Sequence, residues 1–397
     1  MSRKLANFIV ADLVIIALIV FALWATAPDP RGNPASFEDM PLAPALAPRD
    51  EALTLAQVAG EDGQVTTLLV TSFDEESVTG VDIAALGAQD TGNPLADSAA
   101  IDPAMLTDEA LQGIETRTVG YDALLPSAPG GAQHIGTGTN FPEHAAEASS
   151  NAVFQFPKFG EADPARTSVL SLDGILLDYE VELCMRFDRD IASLEDFDAA
   201  VKGVFLCGDF TNRNALVELA DPDNLDSGFG FSDAKSGPDA YPSGPFIVIP
   251  RDWEAFVGDL RMTTSVNGEA RQDARGSEMT LDFRELARKA LADMDEARFA
   301  YGDDFVRLAP EGVIGREMTL MSGTSEGVIF TPPTRADYIE GGIAYMFMGG
   351  PFGTTSIVDA IKARFIDNEL ESGHFLKRGD VVEHGSNRLG NIIVTVE

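Results

Sequence analysis

Asp178-Tyr179-Glu180-Val181-Glu182 is the stretch on which the reading of this chain turns, together with Val204-Phe205-Leu206-Cys207-Gly208-Asp209. Side chains of a β-strand alternate between faces, so Asp178, Glu180 and Glu182 share one face and Leu177, Tyr179, Val181 and Leu183 the other. Residues 204–207 read as a second short strand that delivers Asp209 at its end. Two glutamates on one strand face and an aspartate from a second strand make an all-oxygen cluster that repels itself without a cation. Hard divalent ions suit such oxygens best. The competing reading is an antiparallel strand whose acidic face lies in water. These residues alone leave both open.

Other segments bear on the choice. Ile135-Gly136-Thr137-Gly138-Thr139-Asn140-Phe141-Pro142-Glu143-His144-Ala145-Ala146-Glu147 precedes the acidic strand, followed by Phe156-Pro157-Lys158. After it come Asp209-Phe210-Thr211-Asn212-Arg213, Ala234-Lys235-Ser236 and Pro242-Ser243-Gly244-Pro245. Val266-Asn267-Gly268-Glu269 with Arg271-Gln272, then Gly323-Thr324 with Gly327-Val328, and Gly379-Asp380-Val381-Val382 complete the series. In composition and order these segments resemble the fumarylacetoacetate hydrolase family, with its "G-x-G-x-N-Y-x-x-H-x-x-E", "F-x-K", "E-x-E" and "D-x-x-x-R" motifs.

The resemblance implies an α+β, mostly β fold: a rolled, mixed sheet with few flanking helices behind a smaller N-terminal domain. It implies Glu180, Glu182 and Asp209 as ligands of Mg²⁺, with Mn²⁺ or Ca²⁺ as alternatives. It further implies His144 and Glu147 as a proton-moving pair and Lys235 as a cation facing an enolate or a substrate carboxylate. Arg213, Lys158 and Thr324 would bind substrate or support the ligands. A homodimer and a small 2-oxo or 2,4-dioxo acid substrate come with the family. The expected reaction is metal-dependent cleavage of a C–C bond in a 2,4-dioxo, acylpyruvate-like acid. Lyase, decarboxylase, isomerase or hydratase chemistry, or acid binding without turnover, are the alternatives. Three departures bear on this choice. Leu216 stands where many hydrolytic members carry glutamine, and Ser325 where a proline is expected; the extra aspartate of a "D-F-Y" segment has no counterpart.

On their own residues, His144 and Glu147 lie three apart and meet on a helical turn. Imidazole suits proton transfer near neutral pH, and a carboxylate orients it. The bland alternatives are a surface histidine and solvated loop lysines. His134, His374 and His384 have no partners at metal-ligand spacing and read as ordinary. Gly136-Thr137-Gly138 lacks the third glycine and the acidic ribose binder of a dinucleotide site.

The 397 residues carry 28 basic and 64 acidic side chains, a net charge of −36, which excludes ordinary nucleic-acid binding. Ser2-Arg3-Lys4 precedes residues 5–27, apolar apart from Asn7, Asp12 and the threonine at 26. Residues 1–27 therefore read as a membrane-spanning signal anchor, with the rest of the chain exported to the periplasmic side of a bacterial inner membrane. The alternative is a signal peptide cleaved near Ala25-Thr26-Ala27 and a secreted protein. Residues 28–50, rich in Pro and Ala, read as a linker, 51–126 as a small N-terminal domain, and 127–397 as the catalytic domain. Residues 332–374 read as an elaboration that covers the site or mediates assembly. Strands are expected over 66–71, 246–249, 262–266, 327–330 and 391–396, and helices over 107–114, 283–291 and 357–365. Cys184 and Cys207 read as small core residues, or as a disulfide if the domain is exported.

Overall fold

The computed structural model describes residues 3–28, 33–60, 63–150, 152–221 and 224–397; of residues 3–9 only the helical backbone is described. Ten strands form one sheet. Their spatial order is Arg117–Gly120, Ser77–Asp82, Val65–Phe73, Ala52–Ala59, Ile247–Pro250, Lys202–Gly208, Val181–Phe187, Leu320–Thr324, Gln133–Gly138 and Phe154–Phe159. Neighbours run antiparallel except Leu320–Thr324 beside Gln133–Gly138, which are parallel. A second sheet has the order Glu269–Arg275, Arg261–Val266, Val381–Ser386, Asn391–Val396, Arg166–Val169. This is the expected mixed, mostly antiparallel β structure. The central strands Val181–Phe187 and Lys202–Gly208 are buried along their whole length, as their near-continuous apolar runs require.

The chain divides into two compact units, one of residues 1–33 and 329–375, the other of 34–328 and 376–397. Residues 51–126 belong to the larger unit. Their strands continue the ten-stranded sheet, because Ala52–Ala59 pairs with Ile247–Pro250 from Ala52–Pro250 to Leu55–Ile247. The expected linker is also tied down from residue 34 onward. Met40 O accepts from the Arg261 guanidinium at 2.7 Å, Ala45 N donates to Asn387 O at 2.9 Å, and Leu46 O accepts from Arg388 at 3.0 Å. Residues 29–32, within that expected linker, lie outside the described residues.

The smaller unit contains three longer helices, Arg3–Ala25, Arg335–Phe347 and Ile357–Ser372. Among the described residues no helix is long and apolar enough to cross a membrane. The side chains of residues 1–9, part of the expected span, lie outside that description.

Two expected elements differ in detail. The acidic strand is broken: Leu177–Asp178 pairs with Thr211–Asn212, and a new strand starts at Val181. Residues 327–330 form no strand, because side chains hold the backbone there. Gly327 N donates to Glu147 Oε1 at 3.0 Å, and its carbonyl accepts from the Tyr179 hydroxyl at 2.9 Å.

Candidate active site

Glu182 sits in the Val181–Phe187 strand, opposite Cys207 on one side and Thr324 on the other. Asp209 follows the end of the Lys202–Gly208 strand, and its N–H donates to Glu180 O at 2.9 Å. This pairing closes the gap between the two chain segments, and one carboxylate oxygen each from Glu180, Glu182 and Asp209 lies within 4.8 Å of the others. All three side chains are buried. The strand break at residues 179–180 does not scatter the acids, because Glu180 and Glu182 still face one centre.

Three buried cations surround them. Lys235 Nζ donates to Glu180 Oε2 at 2.7 Å, Asp209 Oδ2 at 2.8 Å and Thr211 Oγ1 at 2.9 Å. Lys158 Nζ donates to Asp209 Oδ1 at 2.7 Å and to the carbonyl of Lys235. Arg213 bridges Asp178 and Glu180, with Nε 2.9 Å from Asp178 Oδ2 and Nη2 2.8 Å from Glu180 Oε1. Four carboxyl groups thus face three cations, and Glu182 is the one that no cation pairs. Its Oε2 accepts from Gly323 N at 2.9 Å, while its Oε1 is buried with no partner among the described residues. Burial, with Asp209 and Glu180 beside it, pushes the Glu182 carboxyl well above its ordinary value. Burial acts on Glu180 as well, but Lys235, Arg213 and His144 outweigh it and hold that group near 2.

The donor set fits a divalent ion. A buried carboxylate oxygen without a partner is costly, and a hard cation held by Glu180, Glu182 and Asp209 would satisfy it while reversing the local charge.

His144 and Glu147 lie on the short helix Pro142–Glu147. Proline at its first position and the extended residue Phe141 before it start the helix where the sequence places the pair. His144 Nδ1 is 3.0 Å from Glu147 Oε2, and the other Glu147 oxygen takes Gly327 N. The carboxylate is thereby fixed, and with Nδ1 as its donor the imidazole keeps Nε2 as a base. Both side chains remain partly exposed, unlike the acids.

The Thr324 hydroxyl donates to Val181 O at 3.0 Å and accepts from Gln272 Nε2 at 2.9 Å. It fixes the backbone between the two glutamates. Gln272 extends this contact to Thr264 and so to His384. Gln272, Thr211, Gly323 and Gly327 fall in the motif segments, but without charge or ligand spacing nothing in those segments assigns them a role. His134 is a satisfied core histidine: Thr319 N donates to its Nδ1 at 3.1 Å, and Nε2 lies 3.1 Å from Gly160 O. Cys184 and Cys207 form a disulfide, with Cα atoms 6.1 Å apart. Leu216 is buried on the helix Arg213–Leu219.

Residues 133–397 match the fumarylacetoacetate (FAA) hydrolase C-terminal family. The chain belongs to the fumarylacetoacetate hydrolase family. No curated protein matches it. Among solved structures it is similar to fumarylacetoacetate hydrolase from the psychrophile Exiguobacterium antarcticum, at 17% identity and a TM-score of 0.50, covering 87% of this chain and 99% of that one. It is also similar to 2-hydroxyhepta-2,4-diene-1,7-dioate isomerase from Mycobacterium marinum, at 16% identity and TM-score 0.49, covering 87% and 98%. A third is 5-carboxymethyl-2-hydroxymuconate delta-isomerase from Mycobacterium smegmatis, at 16% and 0.46, covering 87% and 99%. At these identities the likeness concerns the fold.

Proposed function

We propose that this family member is a divalent-metal-dependent hydrolase that cleaves a C–C bond in an acylpyruvate-like 2,4-dioxo acid. The observation that carries the reading is the buried Glu182 oxygen, unpartnered among the described residues, inside a cluster of three buried carboxyl groups. A cation bound by Glu180, Glu182 and Asp209, Mg²⁺ before Mn²⁺ or Ca²⁺, would supply Lewis-acid polarisation of the substrate's oxygens.

The chain's own residues have separate tasks. Glu147, pinned by Gly327 N, orients His144. His144 takes a proton from water, whose oxygen attacks the distal carbonyl. The C–C bond breaks, its electron pair becomes the enolate of the 2-oxo acid, and the imidazolium returns the proton to that carbon. Lys235 and Lys158 each donate to an Asp209 oxygen, and Lys235 and Arg213 hold Glu180 ionised.

A non-hydrolytic reaction on a 2-oxo acid, such as isomerisation or decarboxylation, is the second reading. Leu216 favours it, since its buried isobutyl group stands where hydrolytic members carry an amide. Product analysis of the full chain with Mg²⁺ against 2,4-dioxo and 2-oxo acids separates the two. Pyruvate plus a second acid supports hydrolysis; turnover without cleavage supports the alternative; no metal-dependent turnover sinks both.

We also propose export of the folded chain, supported by the Cys184–Cys207 disulfide, which persists in oxidising compartments. Dimerisation is a proposal for light scattering to test.

A further inference from the structure

We propose that the tip of the helical hairpin Arg335–Phe347 and Ile357–Ser372 inserts into a lipid bilayer beside the helix Arg3–Ala25. The proposal does not rest on the acidic site.

The first observation is composition. Residues 341–358, Gly341 through Ile357 and Val358, contain no charged side chain. In a chain that is 23% charged, a stretch of this length would carry about four by chance, and a water-facing segment normally keeps them. The second is exposure. Phe347 is 89% and Phe352 98% exposed, and Met346, Met348, Ile357 and Val358 are exposed around them. A contiguous exposed apolar patch marks a binding surface.

The third observation names the occupant. Within the same unit the helix Arg3–Ala25 runs antiparallel to Arg335–Phe347. Thr26 O accepts from Arg335 at 3.2 Å, Trp24 Nε1 donates to Glu340 Oε1 at 2.7 Å, and Val20 shares a groove with Ile343, Met346 and Phe347. The polar contacts therefore lie at one level, and from there the two helices extend in the same spatial direction through uncharged stretches, residues 13–23 of one and 341–347 of the other. Leu13, Ile16, Leu18 and Phe21 on the N-terminal helix are exposed as well. Trp24, its ring apolar and its N–H hydrogen-bonded, has the character of a residue at a membrane–water boundary. From Glu340 to Phe347 is seven residues, about 10 Å along a helix. That matches the roughly 5–10 Å to which interfacial helices bury their apolar faces. At 13 residues Arg335–Phe347 is too short to span, so the hairpin would dip into one leaflet. A net charge of −36 opposes attraction to anionic lipid, so the contact would be apolar.

The introduced thiol of Phe352→Cys would be the only free one, because both native cysteines are in the disulfide. The full chain carrying this substitution is labelled with an environment-sensitive nitrobenzoxadiazole dye and mixed with phosphatidylcholine vesicles with and without a doxyl-labelled lipid. Leu172→Cys, at an exposed position of the larger unit, is the control. The expected result is a blue-shifted, several-fold brighter signal at 352 that the doxyl lipid quenches, with neither change at 172. The proposal is overturned if the chain floats with vesicles while position 352 stays unquenched, or if it does not float at all. Lipid-independent protection of 352 that grows with protein concentration would overturn it in favour of a second copy of this chain.

Discussion

Glu182 and Asp209 are both buried carboxylates, yet only Asp209 has a cation on each oxygen. Changing Glu182 to glutamine removes an oxygen that can ionise to hold the ion but that no cation pairs in its absence. Mg²⁺ affinity in a calorimetric titration should fall, while the metal-free protein should melt no lower than the parent. Equal affinity in the two proteins would remove Glu182 from the ligand set. Lys158→Met has the opposite sign, because it strands an Asp209 oxygen in the interior. Breaking a buried pair in this way costs about 3–5 kcal/mol, readable by urea unfolding. His144→Ala should lower turnover by roughly 10²–10⁴-fold and leave metal affinity nearly unchanged. Burial and the nearby Lys158 lower the His134 pKa to about 4 from 6.5. A depressed folded pKa means that the stability this group contributes is present above pH 6.5 and lost as pH falls toward 4. The loss amounts to about 3 kcal/mol. His134→Asn should flatten this part of the stability–pH curve, and an unchanged acid limb would assign it to other groups. The charged members of the site were legible as residue types in motif order. The role of Lys158 was not legible, since nothing in Phe156-Pro157-Lys158 says that the ammonium ends on Asp209, 51 residues away.

At the scale of elements, the glycines of Gly136-Thr137-Gly138 have a packing reason. Across the strand pair they face Phe156 and Phe154, and a Cβ on Gly138 would come within 2.1 Å of the Phe154 ring. Gly138→Ala should therefore destabilise by about 1–3 kcal/mol, as overpacked cores do. Phe154→Leu in the same chain should recover part of that loss in a double-mutant cycle. The strands over 65–73, 202–208, 261–266 and 391–396 were readable because alternation and apolar runs are local properties. The loop at 327–330 was not, although its residues suit a strand. The backbone bonds of Gly327 go to Glu147 and Tyr179, partners fixed only by the tertiary fold. The break at Tyr179-Glu180 escaped for the same reason: alternation predicts faces, whereas the second pairing partner at Thr211–Asn212 is nonlocal.

For the whole molecule, an excess of 36 negative charges makes the folded chain repel itself, and a divalent ion in the acidic centre relieves part of that stress. The melting temperature should rise with free Mg²⁺ concentration by linkage. A reporter fused after Glu397 should be active only outside the cytoplasm, and activity of a cytoplasm-only reporter would overturn the export proposal. The two-unit division, with residues 329–375 leaving the larger unit and returning, was partly visible as an overlong interval between motifs. The continuity of residues 51–126 with the central sheet was not, because strand order is set by pairing across 190 residues and more. The disulfide also has a consequence for the chain when it is not folded. Glu182 and Asp209 lie two residues outside Cys184 and Cys207, respectively. In the unfolded oxidised chain the two acids are thus separated by a short covalent path through sulfur and not by 27 residues of coil. Each raises the other's effective concentration, so the coil itself keeps a weak chelate for the ion.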